Sequence, residues 1–407
     1  MESSPTLDEA AVRGILAGVR DPELGASIVD LGMLRDVEVS PDGDVRVQVA
    51  LTTAGCPLRG QIKADVISKI HGLEGVRDVT VDYAEMTQAE RTAVMQRARL
   101  EAVNRAPDTE IAATTRVIAV ASGKGGVGKS SVTVNLATAL AAQGLAVGVL
   151  DADIWGFSVP RMLGVSGRLG AVKDSSVKGE ATKGKIEPAE VVVPNADPGG
   201  AAGRVAVVSM GLLVDDEDTA LMWRGLILSK ALEQFLTDVK WGELDYLLLD
   251  MPPGTGDIQM ALSRLLPQTE MLVVTTPAKN AQKVAARVAD MARRSYLKVL
   301  GVVENMSEFV APDGSRHAIF GSGGGKRLAA LTGAPLIGQV PIEPAVSIGG
   351  DEGRPVVLAA PDGPAATEFR RIARLIVDEL LPPVEMAGCT ARILELATRA
   401  AAELPNR

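Results

Sequence analysis

The chain has 407 residues, 46% of them hydrophobic and 23% charged, which is enough for roughly two or three domains with their own cores and excludes global disorder. Lys plus Arg number 42 and Asp plus Glu 51, a net charge of −9 that argues against a nucleic-acid partner held by bulk electrostatics. Two cysteines, Cys56 and Cys389, and two histidines, His71 and His317, exclude a disulfide scaffold, a four-cysteine metal site within one chain and a histidine-rich centre.

The acidic start, MESSPTLDEAAVRG, lacks the basic and apolar segments of a signal peptide, and the apolar runs are too short to span a bilayer. The expectation is a cytoplasmic protein with no membrane partner. Leu7 to Val19 has helical apolar spacing with Asp8 near its start. Val37 to Val39 and Val45 to Thr52, separated by Pro41-Asp42-Gly43, predict a hairpin. Gln61 to Ile70 reads as a helix and Val76 to Val81 as a third strand. Residues 1–84 are therefore a small α+β domain, and the polar, Ala/Arg-rich stretch 85–115 is a linker.

From Arg116 the texture changes. Arg116 to Ser122 is an apolar strand, followed by a glycine-rich loop and a helix from Lys129 to Gln143 that Gly144 stops. Val147 to Leu150, Tyr246 to Asp250, Met271 to Thr275 and Val299 to Glu304 are further buried-strand candidates alternating with helices. That pattern predicts an α/β domain over 116–381, a doubly wound, mainly parallel sheet covered on both faces. Gly164 to Gly203 reads as an excursion outside the sheet, with a hairpin around Val191 to Val193. The last helix spans Ala365 to Leu381, Pro382-Pro383 ends it, and 382–407 is a C-terminal tail.

Gly123-Lys124-Gly125-Gly126-Val127-Gly128-Lys129-Ser130 fits a phosphate-binding loop. Glycines let backbone N–H groups approach phosphate oxygens, and the following helix adds the positive end of its dipole. A glycine turn alone would say little; set between strand and helix, and ending in Lys-Ser, it points to ATP. Lys129 is placed for the β- and γ-phosphates, Ser130 for Mg²⁺ and Ser131 for a further phosphate contact. Asp151 and Asp153 follow a strand, at the end where open α/β sheets bind ligands. Asp153 is the candidate to position or activate the attacking water. Asp151 is a candidate Mg²⁺ or supporting group, with helix capping as the structural alternative. Tyr246 to Asp250 has the form of a Walker B strand, whose Asp250 is expected to hold Mg²⁺ through water. The loop from Met251 to Asp257 directly follows it.

Lys124, a second lysine at the loop start, resembles the deviant Walker A signature of the MinD/ParA/nitrogenase-iron-protein class. That resemblance implies a homodimer in which Lys124 reaches the partner's nucleotide and stabilises developing phosphate charge. The chain as a whole looks like the Mrp/ApbC family of iron–sulfur cluster carrier ATPases. Beyond the loop, this rests on Met222 to Gly225, Leu244 to Asp257, Glu304-Asn305-Met306-Ser307 and Phe320 to Gly324. The N-terminal segment is similar to a small module of iron–sulfur assembly factors through Asp21 to Leu24, Ser27 to Gly32 and Leu51 to Leu58. The resemblance implies slow MgATP hydrolysis coupled to delivery of a cluster to apoprotein clients, contacts with other iron–sulfur assembly proteins, and an adenine contact from Asn305. Taken alone, Asn305 equally fits a turn cap.

Many family members carry a Cys-Xaa-Xaa-Cys pair shortly after Glu-Asn-Met-Ser. Here Ala311 and Gly314 have the spacing without the sulfur, and clusters are held by thiolates in nearly every protein site. Cys56, before a predicted helix whose N-terminus favours thiolate, is a candidate reactive thiol or cluster ligand. Its alternative is a buried small residue. Cys389, in the tail, is the other candidate thiol, with an incidental residue as its alternative. The rival functions are a dimeric ATP-dependent switch of the ParA/MinD kind and an assembly adaptor that holds no cluster. A small-molecule kinase shares the loop but lacks a lid-like arginine cluster here.

Overall fold

A computed structural model describes residues 7–21, 26–51, 59–87, 109–153, 156–167, 185–212, 225–254, 257–295, 297–311 and 313–383, with a few stretches of one to three residues between these spans. The chain divides into two compact units, Met1–Ala106 and Pro107–Arg407.

In the first unit, helix α1 (Glu9–Leu16) starts where the Asp8 carboxylate accepts a 2.7 Å hydrogen bond from the Ala11 N–H, satisfying one free donor of the first turn. Strands β1 (Leu34–Val39) and β2 (Asp44–Leu51) form the expected antiparallel hairpin, turned at Gly43. Helix α2 (Arg59–Ile70) then crosses to β3 (Asp78–Glu85), which pairs parallel with β2. Alternation drives this packing. Val45, Val47 and Val49 face Val12, Leu16, Ile62, Val66 and Ile70 in one core, and the intervening polar residues face out.

The second unit begins with β4 (Arg116–Ser122), helix α3 (Lys129–Ala141), β5 (Ala146–Asp151), the single-turn α4 (Val159–Met162) and the two-residue pair β6 (Ala171–Val172) and β7 (Lys185–Ile186). It continues through β8 (Ala189–Val193), β9 (Gly203–Ser209), α5 (Gly225–Thr237), β10 (Tyr246–Asp250), α6 (Asp257–Leu265), β11 (Glu270–Thr275), α7 (Lys279–Arg294) and β12 (Lys298–Glu304). The pair β13 (Phe309–Val310) and β14 (Arg316–His317), α8 (Gly324–Thr332), β15 (Leu336–Gln339), α9 (Pro344–Asp351), α10 (Val356–Ala359) and α11 (Pro364–Leu375) complete it. The described segment ends with a π-helical stretch, Ile376–Leu380.

Eight strands form one sheet in the order β15-β12-β11-β4-β10-β5-β9-β8, parallel throughout except for β8. Alternate residues of each strand enter opposite cores. Ile118, Val120 and Leu248 pack with α3, α10 and α11, whereas Val117, Ala119, Leu247 and Leu249 pack with α5, α6, α7 and α8. This is the predicted doubly wound architecture. From β4 the chain moves to β5 and β9 on one side and later to β11, β12 and β15 on the other. The direction therefore reverses around β4, which opens a crevice at the carboxyl ends of the central strands.

One expectation is corrected. Residues 189–193 do not lie outside the sheet; β8 is its antiparallel edge strand, paired with β9. Its pattern is half-buried, and Glu190 on the open face pairs with Arg204 at 2.8 Å. Such an edge strand lacks the continuous apolar run that marks the buried central strands. Among the described residues, no helix is long and apolar enough to cross a membrane.

Candidate functional site

The glycine loop joins β4 to α3 at the direction reversal. Gly123 is required by close approach: a Cβ there would lie 2.3 Å from the Val284 carbonyl carbon and 2.5 Å from the Ala285 nitrogen of α7. Gly128 has φ +77 and is the N-cap of α3. A Cβ at Gly128 would come within 2.3 Å of Asn305 Nδ2. The Asn305 amide is buried there and donates a 2.9 Å hydrogen bond to the Val127 carbonyl, bracing the loop from the end of β12.

The side chains that leave α3 converge on the end of β10. Lys129 Nζ lies 2.7 Å from Asp250 Oδ1 and 3.6 Å from Asp153 Oδ2, with the lysine 6% and Asp250 0% exposed. The Ser130 hydroxyl donates to Asp250 Oδ2 at 2.5 Å, and the Thr133 hydroxyl donates to Asp250 Oδ1 at 2.8 Å. Thr133 was not among the predicted residues. Its signal was position, since it follows Lys129 by four residues and shares the helix face directed at β10. Ser131 is half-buried, and its carbonyl accepts from the Asn135 side chain. Lys124, Gly125 and Gly126 are exposed at the mouth of the crevice.

Asp151 and Asp250 are register partners on adjacent strands β5 and β10. Burial, followed by the Asp250 charge, pushes the Asp151 carboxyl up to about 7; Lys129 and the backbone hydrogen bonds oppose the shift. The Asp151 carboxylate accepts from the N–H groups of Asp153, Ser158 and Val159 and from the Ser209 hydroxyl, at 3.1–3.4 Å. It therefore ties down the loop that carries Asp153 and the start of α4, as the capping alternative anticipates. Burial also raises the Asp153 carboxyl above its ordinary value, opposed by Lys129 and reinforced by Asp250.

Glu304, Asn305 and Ser307 each tie segments together. The buried Glu304 carboxylate accepts from the Gly325 N–H at the start of α8 and, at 2.7 Å, from the Gln339 side chain. Ser307 donates to the Val340 carbonyl at 3.1 Å. Beyond them, a 2.8 Å hydrogen bond from the Gly314 N–H to the Ala311 carbonyl closes the turn between β13 and β14. Ala311 and Gly314, which have the spacing of the Cys-Xaa-Xaa-Cys pair, thus meet in one turn without sulfur. His317 is exposed, with Nε2 3.0 Å from Ser315 Oγ. Cys56, Cys389, Met222 to Arg224 and the Thr255-Gly256 pair lie outside the described residues. Among the described residues, no group of three or more His, Cys, Asp or Glu is arranged to hold a metal ion.

The donors at Ser130 and Asp250 are hard oxygens beside a phosphate-binding loop. They fit Mg²⁺, which is held by few protein ligands and completes its shell with water and phosphate oxygens. A doubly wound sheet with this loop at its switch point defines the class: a P-loop nucleotide-binding protein. The profile described as NUBPL iron-transfer P-loop NTPase matches residues 113–377, and the chain belongs to that family. A second profile, described as iron-sulfur cluster assembly protein, matches residues 9–83.

Among relatives, the iron-sulfur cluster carrier protein of Mycobacterium leprae is 43% identical over 372 residues, covering 90% of this chain and 91% of the relative. The iron-sulfur cluster carrier protein of Deinococcus radiodurans is 42% identical over 377 residues, 92% of this chain and 96% of the relative. A solved nucleotide-binding protein from Archaeoglobus fulgidus, in complex with ADP, is similar at 34% identity with a TM-score of 0.48, over 63% of this chain and 90% of that one.

Proposed function

We propose that the protein binds MgATP in the crevice above β4 and β10, hydrolyses it, and uses the nucleotide cycle to carry an iron–sulfur cluster to apoprotein clients. The observation that carries the nucleotide half is the convergence of Lys129, Ser130 and Thr133 on Asp250 at the strand end. Family membership over both units supports the carrier half, together with relatives named for that role along nine-tenths of the chain.

In this reading the loop amides from Gly125 to Lys129 and the Lys129 ammonium bind the β- and γ-phosphates. Ser130 and Asp250 hold Mg²⁺, which when bound neutralises phosphate charge. Asp153 orients the attacking water and accepts its proton. Its raised pKa makes it a better proton acceptor than an exposed carboxylate. Asp151 fixes the loop that aims Asp153. Asn305 contacts the adenine base while bracing Val127, and Ser131 adds a phosphate contact. Lys124 is exposed at the loop mouth, as a lysine that acts on a partner subunit's nucleotide must be. The protein then works as a homodimer in the cytoplasm.

The cluster is cargo. The described residues offer it no thiolate, so Cys56 and Cys389 are the thiols left for it. The specific test of the nucleotide half is ATP turnover with and without Mg²⁺, on the parent and on Lys129→Met. Mg-dependent phosphate release from the parent, lost in the variant, is expected. Equal turnover by both would sink the site assignment.

A further inference from the structure

Gln259, in the first turns of α6, is 2% exposed, and the reading above gives it no task. Its Nε2 donates to the Gly254 carbonyl at 3.3 Å. Its Oε1 is buried and has no hydrogen-bond partner among the described residues. The orientation of the amide follows from chemistry: the end facing a carbonyl must be the NH₂, so the free end is the acceptor.

Gly254 lies in the loop that follows Asp250, with φ +96 and open space around its α-carbon. Its N–H donates 2.9 Å to the Ser122 carbonyl, at the last residue of β4. The Ser122 hydroxyl in turn donates 3.1 Å to the carbonyl of Lys124. One hydrogen-bonded line therefore runs from the phosphate-binding loop through Ser122 and Gly254 to Gln259. Gly254 is a link between the two loops that flank the nucleotide crevice, and Gln259 holds its far side.

A buried amide that uses one long hydrogen bond and leaves its acceptor free is under-committed for a purely structural residue, since buried polar groups are as a rule fully paired. We infer that Gln259 is a positioning residue for ATP turnover, which sets the loop after β10 against the phosphate-binding loop through Gly254. This rests on the hydrolysis proposed above. Gln259 touches neither substrate nor metal and acts through the backbone.

The test uses the full chain with Gln259→Met, which keeps the length and loses the donor. Turnover is expected to fall by about fivefold or more, the equivalent of one hydrogen bond lost from the transition state, with the Kd for ADP within about twofold of the parent. Gln259→Glu adds a second readout. Ionised, it sets a carboxylate against the Gly254 carbonyl; protonated, it restores an O–H donor. The ratio of Gln259→Glu turnover to parent turnover should therefore rise as the pH falls.

Met-variant turnover within twofold of the parent overturns the inference. So does a loss of turnover matched by equal losses of ADP affinity and melting temperature, which would make Gln259 structural. If the Met variant does not fold, the Glu-to-parent ratio decides, and a flat ratio overturns the inference. A parent without ATP turnover refutes the hydrolysis reading instead, which keeps the two failures distinct.

Discussion

Lys129→Met removes the ammonium from among Asp151, Asp153 and Asp250 and keeps an unbranched chain of similar reach. Lys129 Nζ is 2.7 Å from Asp250 Oδ1, with both side chains at or below 6% exposure. Deleting one partner of such a pair costs about 3–5 kcal/mol, because the other charge stays buried and uncompensated. Ser130 and Thr133 still donate to Asp250 at 2.5 and 2.8 Å, which sets the expected loss near the lower end, about 3 kcal/mol.

The pH dependence has a definite sign. The Asp151 carboxyl titrates at about 7 in the fold, against 3.8 for the ordinary group. Its contribution to stability is fully present below the unfolded value and lost as the pH rises through the folded one. Lys129 is one of the groups holding that value down, so its removal pushes the Asp151 carboxyl further toward the protonated form. The deficit of the variant should then shrink from about 3 kcal/mol near pH 8 to about 1 kcal/mol near pH 5.5. Urea unfolding without nucleotide or Mg²⁺, read by hydrogen exchange of amides in β4, β5 and β10, measures it. A deficit under about 1 kcal/mol near pH 8, or one that grows on acidification, would refute the buried ion-pair account.

Gly128→Ala combines left-handed strain with displacement of the Asn305 amide from Val127, since φ is +77 and the new Cβ would sit 2.3 Å from Nδ2. Together these should cost about 2–3 kcal/mol of stability and weaken ADP binding about tenfold; unchanged denaturation midpoint and affinity would contradict the contact. Lys124→Ala should lower ATP turnover by more than tenfold with nucleotide affinity nearly intact, as for a cation that acts on developing phosphate charge. Mixing Lys124→Ala with Lys129→Met subunits should give non-additive turnover, and strictly additive behaviour would exclude action across a dimer.

The central strands were legible because parallel strands covered on both faces read as unbroken apolar runs, as in Tyr246 to Asp250, where every residue is buried. The loop at Gly123 to Ser130 was legible because its chemistry needs glycine at fixed spacing. β15 spans only Leu336–Gln339, and β9 begins with a glycine and carries Arg204; neither stood out by periodicity. The edge role of β8 depends on pairing with β9, and pairing is a tertiary fact that a half-buried run does not encode. Thr133, Ser209 and Gln259 are polar residues whose partners lie 117, 58 and 5 positions away. The first two show their purpose only after the sheet brings strand ends together. For Asp151, local patterning left metal support and capping equally open. The backbone donors of Asp153, Ser158 and Val159 show the tie that holds the loop, which the strand pattern alone did not.

Anaerobic reconstitution with iron and sulfide, followed by iron and sulfide counting and transfer to an apo-ferredoxin, tests the carrier claim most directly. The parent, Cys56→Ala and Cys389→Ala would be compared with and without MgATP. The account predicts a cluster on the parent that is passed to the acceptor, and its loss when the ligating thiol is removed. No iron bound to any of the three, with ATP turnover intact, would contradict it and leave an ATP-driven adaptor that never holds the cluster.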